Sequence, residues 1–249
     1  MKSFSSIDHV STMAYHDGNL QKKDRQVKLT ARILHRVYRT IIKVVLQASY
    51  DFQVWREGDL PSGPKIYCSN HFSSSDAHFV TTLMPEPLHM VIGPGFSLPI
   101  VKNFLTWTEQ IPAYTKKQKQ NVVARAVSAL QEGDSIYIFP EGGLNTVEEL
   151  ISFRPGVARI YLEHPCPIVP IGLIAPKRRL RKKKNHVVNH AMTVVSRNYY
   201  ANIGQPMEFP EALELAKTDR KAAEDLIILH LKEQISFLVS DIKNNKFWS

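Results

Sequence analysis

His71 and Asp76 stand five residues apart in the stretch Ser69-Asn70-His71-Phe72-Ser73-Ser74-Ser75-Asp76. On one helix, five residues is a rotation of about 140°, so the two side chains would diverge. They can meet only across a turn, and the sequence supplies one. The apolar run Ile66-Tyr67-Cys68 reads as a short strand, and the three serines as turn and N-cap formers before a helix that opens at Asp76. A carboxylate in the first helical turn is favoured by the helix dipole. It can hold one imidazole nitrogen and leave the other as a base, which is a Ser-His-Asp triad lacking its hydroxyl. A substrate alcohol could supply that hydroxyl.

A second strand end carries Phe139-Pro140-Glu141-Gly142-Gly143, after the apolar run 135–139. In open α/β sheets, ligands collect outside the carboxyl ends of the strands, so the two elements are expected to face one crevice. Gly142 and Gly143 permit close backbone approach to a ligand. Glu141 is placed either to bond a substrate hydroxyl or to anchor the loop.

The elements around these turns alternate. Strands are expected at 51–56, 65–68, 88–92, 135–139, 167–174 and 191–203, with a short strand or turn at 110–114 and helices at 76–84, 97–107, 120–131, 157–162 and 219–244. This order predicts an α/β fold: a central mixed, largely parallel sheet flanked by helices. Residues 1–24 are polar and aperiodic and read as a flexible arm. From 27 to 48, Val27, Leu34, Val37, Tyr38, Ile41, Val45 and Ala48 recur at helical spacing against Lys28, Arg32, Arg36, Arg39 and Lys43. This N-terminal basic amphipathic helix either packs on the core or lies in a membrane interface. The rest, 25–249, reads as a single domain. Leu226, Leu229, Ile235, Leu238, Val239 and Ile242 form the apolar side of its last helix.

The chain has 249 residues, 43% of them hydrophobic, enough for one domain with a real core. Its 32 Lys+Arg against 23 Asp+Glu give a formal net charge of +9 and point to an anionic partner. The run 177–184 holds seven basic residues out of eight, read as a solvated loop or a contact with anionic lipid. No aromatic-interleaved or helix-turn-helix pattern accompanies it, so nucleic acid is not expected. Cys68 and Cys166 make no disulfide framework and read as buried thiols. Residues 1–20 lack an apolar signal core, and no run of about 18 apolar residues predicts a membrane span. A place at the cytoplasmic face of a membrane is expected.

In order and spacing the motifs resemble the glycerolipid acyltransferases of the lysophosphatidic acid acyltransferase type. Asn70-His71-x4-Asp76 matches the family's first motif and Phe139-Pro140-Glu141-Gly142 its third. Phe153-Arg154-Pro155-Gly156-Val157-Ala158 and Ile168-Val169-Pro170-Ile171 match two later segments. Ile203-Gly204-Gln205-Pro206-Met207 looks like the closing strand and turn. The resemblance implies direct acyl transfer from an acyl thioester, carried by coenzyme A or acyl carrier protein, with no cofactor and no metal. His71 and Asp76 would be catalytic, and Phe139, Pro140, Glu141, Gly142, Gly143, Lys116 and Pro170 would bind substrate. Membrane phospholipids and the acyl carrier would be partners.

Two departures stand out. The family's second motif carries a glycine and then an arginine used on the acceptor phosphate. Residues 109–116 here have neither, and Lys116 or Lys117 offers only a point charge. The family often follows its third motif with Thr or Ser and then Arg, where Gly143-Leu144-Asn145 stands here. Both losses fall on groups that hold phosphate, so another lysophospholipid, a lipid alcohol or a lipid amine stays open as acceptor. A serine-type lipid hydrolase using Ser73, Ser74 or Ser75 is a second reading, although no Gly-x-Ser-x-Gly elbow is present. A non-enzymatic basic lipid-binding or nucleic-acid-binding protein is a third.

Overall fold

The computed structural model describes residues 8–84, 86–145, 149–175, 178–183, 186–194 and 197–246, with side chains described from 29 to 175 and 197 to 244 within those ranges, residue 100 excepted. The chain opens with helix α1 (Asp8–Ser49), then β1 (Asp51–Arg56), β2 (Ile66–Ser69), α2 (Asp76–Leu83), β3 (Leu88–Ile92), α3 (Pro99–Trp107) and β4 (Ile111–Pro112). There follow α4 (Lys116–Gln120), α5 (Val122–Gln131), β5 (Ser135–Ile138), α6 (Gly156–Glu163) and β6 (Ile168–Ile174). A hairpin of β7 (Arg178–Lys183) and β8 (His186–Val194) precedes β9 (Asn198–Ile203), α7 (Pro210–Leu215) and α8 (Arg220–Asp241).

Seven strands form one sheet in the order β1-β9-β6-β2-β5-β3-β4. Five of the six neighbouring pairs are parallel, and only β6 and β9 run antiparallel. The expected α/β class, with its mixed and largely parallel sheet, is the observed one. Each central strand is buried on both faces, as parallel strands between helices must be. Alternation along the strands divides the core. Ile66, Cys68, Ile136, Ile138 and Ile168 pack with α5, α6, α7 and α8, while Tyr67, Tyr137, Val169, Ile171, Leu173 and Tyr199 pack with Phe79 and Val80 of α2, Met84 just after it and Leu46 of α1.

The N-terminal expectations need correction. Helix starts at Asp8, so residues 8–24 are helical where a loose arm is expected, and residues 1–7 lie outside the described residues. Hydrophobic periodicity gave no sign of this, because a polar stretch carried on from a long helix needs no apolar face of its own. The face of α1 that packs on the domain is Ala31, His35, Tyr38 and Leu46. Val37, Ile41 and Val45 of the expected apolar side are about half exposed, in line with Leu29 and Ile33. The helix has two apolar stripes, and spacing alone does not tell which one packs.

Three further differences are local. Residues 178–183 form strand β7 rather than a loop, with Lys177 and Lys184 outside the described residues. The single strand expected at 191–203 is divided between β8 and β9. On α8, Leu229 is 55% exposed, and the buried side is carried by Ala223, Ile227, Leu231, Ile235, Leu238 and Val239. Cys68 is a buried thiol as expected, while Cys166 is only half-buried.

Candidate active site

Strand β2 ends at Ser69 in the middle of the sheet, and Asn70 fastens that end sideways to β6. The Asn70 amide donates to the Leu173 carbonyl at 2.8 Å and its oxygen accepts from the Leu173 N–H at 2.8 Å. The chain then turns through residues 71–75. The Asp76 backbone N–H donates to the Ser73 carbonyl at 3.0 Å, which starts α2.

The Asp76 carboxylate is fully buried and folds back over this turn. Its Oδ2 accepts from the backbone N–H of Phe72 at 2.8 Å and of Ser73 at 2.7 Å, and lies 3.1 Å from His71 Nδ1. Two backbone amides therefore fix the oxygen that orients the imidazole. With a proton on Nδ1 shared with that oxygen, Nε2 would be left able to act as a base. The serine side chains do other work. Ser75 Oγ lies 2.8 Å from Ser73 Oγ and 2.7 Å from the Tyr199 hydroxyl, and Tyr199 also donates to Asp76 Oδ1 at 3.4 Å. Ser75 sits at the N-cap position of α2, but its hydroxyl makes no capping bond.

The turn after β5 lies against His71, as the strand-end argument requires. Strands β2 and β5 are parallel neighbours, with Cys68 paired to Ile138, so both carboxyl ends open on the same edge. The Phe139 ring stacks on the His71 imidazole with centroids 4.0 Å apart and planes 18° from parallel. Glu141 Oε1 accepts from the His71 backbone N–H at 3.0 Å, and Asn145 N–H donates to the His71 carbonyl at 2.7 Å. Of the two roles open to Glu141, the contact seen is the anchoring one. Burial pushes its carboxyl pKa up, against the opposing pull of the His71 N–H, the His71 charge, Asn145 and the Ile151 backbone.

Gly142 closes this turn with φ +68°, a conformation side chains rarely adopt. Any Cβ there would also strike the Arg154 side chain, which lies over it. Arg154 in turn donates its backbone N–H to the Pro140 carbonyl at 2.7 Å. Gly143 is open, with nothing within 4 Å of an added Cβ.

The remaining expected site residues are farther off. Lys116 opens α4 just beyond β4, at the same sheet edge but three strand positions from β2. At about 4.8 Å per strand that is about 14 Å across the sheet. Pro170 is buried inside β6, opposite Cys68, and its carbonyl accepts from Gly204 N–H at 2.9 Å. It shares the α8 side of the strand with Gly172, where an added Cβ would come within 2.7 Å of Leu238 Cβ. Tyr199 and Arg154 touch the site without having been singled out from the sequence. Tyr199 carries no local motif, and Arg154 was read only as a filler within Phe-x-x-Gly.

Beside the His71 turn is an apolar cavity of about 310 Å³. Ala77, His78 and Thr81 of α2 line it, with Met90 and Ile92 of β3, Val101, Phe104 and Leu105 of α3, and Tyr38 of α1. Its wall thus begins one residue after Asp76. The volume falls in the range of small-ligand sites, about 300 to 1,000 Å³.

A model of the Acyltransferase family matches residues 51–174, from the start of β1 to the end of β6. Residues 51–174 therefore form a domain of the Acyltransferase family. The chain is 23% identical over 161 residues to a chloroplastic 1-acyl-sn-glycerol-3-phosphate acyltransferase of Arabidopsis thaliana, covering 63% of this chain and 45% of the relative. It is 25% identical over 156 residues to the 1-acyl-sn-glycerol-3-phosphate acyltransferase alpha of Ovis aries, covering 57% of this chain and 49% of the relative. The chain spans about half the length of the curated relatives it matches. The crystal structure of the 1-acyl-sn-glycerophosphate acyltransferase PlsC from Thermotoga maritima superposes with a TM-score of 0.60 at 13% identity, over 97% of this chain and 90% of that one. That likeness establishes a shared fold.

Proposed function

We propose that this protein is an O-acyltransferase that moves a fatty acyl group from an acyl thioester to the hydroxyl of a lysophosphatidate-type lipid at a membrane surface. The observation that carries the reading is the 3.1 Å contact between His71 Nδ1 and the fully buried Asp76 carboxylate, in a turn with no protein hydroxyl on the imidazole among the described residues. The missing hydroxyl is then the acceptor's. His71 Nε2 takes the proton as the acceptor oxygen attacks the thioester carbonyl. The tetrahedral adduct collapses, the C–S bond breaks, and the imidazolium returns the proton to the departing thiolate. An ester and a free thiol result. Base catalysis of this kind is worth about 10² to 10⁴ in rate.

The apolar cavity beside α2 fits the acyl chain. The donor's carrier is coenzyme A or acyl carrier protein, and both present the same thioester. The surface of α1 supports a membrane location. Leu29, Ile33, Val37, Ile41, Val44 and Val45 form a stripe that is between 49% and 62% exposed, flanked by exposed basic residues such as Arg36 and Lys43. No helix among the described residues is long and apolar enough to cross a membrane, and the pattern fits a helix lying in the interface.

A serine hydrolase is the weaker reading, because the hydroxyls of Ser73 and Ser75 bond each other and Tyr199 rather than His71. The test is to incubate purified protein with an acyl thioester and lysophosphatidate and identify the product by mass. Diacylated product from wild type, and none from a folded His71→Ala variant, is the expected result. Labelled acyl group trapped on the protein, or transfer retained by His71→Ala, rules it out.

A further inference from the structure

We infer that the apolar cavity takes a hydroxylated acyl chain, and that Tyr38 and His78, paired at its mouth, hold a hydroxyl carried close to the thioester carbonyl. The inference rests on the acyl-transfer reading and names the class of acyl group transferred.

Hydrogen bonding in the cavity wall singles out this pair. Each of the other polar side chains there is tied to backbone. Thr81 Oγ1 donates to the Ala77 carbonyl at 2.7 Å, and Thr108 Oγ1 to the Phe104 carbonyl at 2.9 Å. The Gln110 amide donates to the Thr108 carbonyl at 2.8 Å, and its oxygen accepts from Met90 N–H at 2.8 Å. His35 accepts from Leu88 N–H at 3.3 Å. Tyr38 and His78 differ. The phenol and Nδ1 are bonded to each other and, among the described residues, to nothing else.

One bond uses only part of what the two groups offer. If Tyr38 donates to Nδ1, its oxygen can still accept and His78 Nε2–H can still donate. If Nδ1–H donates to Tyr38 instead, the phenol O–H and the Nε2 lone pair are left. Either tautomer leaves one donor and one acceptor, which is the complement of an alcohol. A plain hydrocarbon laid over them covers both and replaces neither of their bonds to water. Burial pushes the Tyr38 pKa up to about 12, so the phenol keeps its proton at neutral pH.

Position decides where on the chain the hydroxyl falls. His78 lies two residues after Asp76, in the first turn of α2. Tyr38 is half-buried and His78 exposed, and the Phe104 ring packs on Tyr38 with centroids 4.9 Å apart. The far end of the cavity is at His35 and Gln110, both bonded to Leu88. Leu88 starts β3, a strand parallel to β5 and through it to β2, so it stands at the opposite edge of the sheet from His71. A chain that enters from His71 meets the pair first.

The test compares two coenzyme A thioesters of one chain length, one with a hydroxyl on the β-carbon and one without, using lysophosphatidate as acceptor. Wild type, Tyr38→Phe and His78→Leu are assayed after their melting temperatures are checked. Tyr38→Phe keeps the ring on Phe104. Wild type is expected to prefer the hydroxylated donor by about tenfold in kcat/KM, the worth of one net hydrogen bond. Both variants should cut that preference at least about threefold, through KM for the hydroxylated donor more than through kcat. Equal kcat/KM for the two donors in wild type overturns the assignment. Equal losses on both donors in the variants also overturn it, because the bond then only ties α1 to α2. Binding of the matching thioethers, which cannot transfer, is measured alongside. A preference for the hydroxylated thioether that Tyr38→Phe removes, with no transfer from either thioester by wild type, leaves the assignment standing and sinks the acyltransferase reading instead.

Discussion

Asn70 and Leu173 exchange two hydrogen bonds of 2.8 Å, one in each direction, so that a side-chain amide does for the end of β2 what a neighbouring strand does elsewhere. His71 is the next residue. Replacing Asn70 with Ala leaves the buried Leu173 N–H and carbonyl without partners, at a cost of about 1 to 3 kcal/mol. Denaturant unfolding should show that loss. Activity should fall further than the fraction unfolded accounts for, because His71 loses its foothold.

Asp76→Asn keeps the size of the side chain but puts an amide where the carboxylate steadies the His71 N–H. The variant should remain folded, with kcat about 10² to 10⁴ below wild type, comparable to His71→Ala. Steady-state kinetics beside a thermal melt checks it. A kcat within twofold of wild type contradicts the role given to Asp76.

His35 gives a pH dependence. It is buried on the packing face of α1, where its Nε2 accepts from Leu88 N–H at 3.3 Å. Burial first, then the charges of Arg39 and His89, lower its pKa from 6.5 to about 4. Unfolded, it takes a proton near pH 6.5; folded, only near pH 4. Between those values the unfolded chain binds more protons, so stability drops as the solution is acidified from about 6.5 toward 4. The full loss is up to about 3 kcal/mol. Urea titrations of wild type and His35→Gln across that range should converge as the pH falls.

The exposed stripe of α1 supports a further expectation. Asn at Ile33, Val37 and Ile41 removes about 1.5 to 3 kcal/mol of apolar burial at each position that inserts into lipid. Binding to anionic vesicles should weaken at least about tenfold in flotation assays, while the melting temperature stays near that of wild type. A drop in melting temperature without loss of binding means that the stripe packs on protein.

Local chemistry made much of this site readable. His71 and Asp76 are joined by a five-residue turn whose serines and following helix announce it. Glu141 follows from the rule that parallel strands open their carboxyl ends on one edge. Contacts that depend on tertiary path were not readable. Tyr199 reaches Ser75 because β9 enters next to β6, and nothing in Asn198-Tyr199-Tyr200 says so. Arg154 looks like filler until the turn at Gly142 places it. Pro170, carried over from the motif, sits on the α8 side of its strand, and which face a strand residue takes depends on register. Whether the stripe of α1 faces core or membrane stayed open because both of its apolar faces share the helical period.

The clamps on the His71 turn come from far down the polypeptide: Leu173 lies 103 residues after Asn70, and Tyr199 lies 124 after Ser75. A nascent chain still on the ribosome, with β6 and β9 not yet released, already carries its histidine and aspartate but lacks both braces. The braced form of this turn is therefore acquired late in synthesis, and a fragment cut before residue 198 keeps His71 and Asp76 without the tyrosine that steadies them.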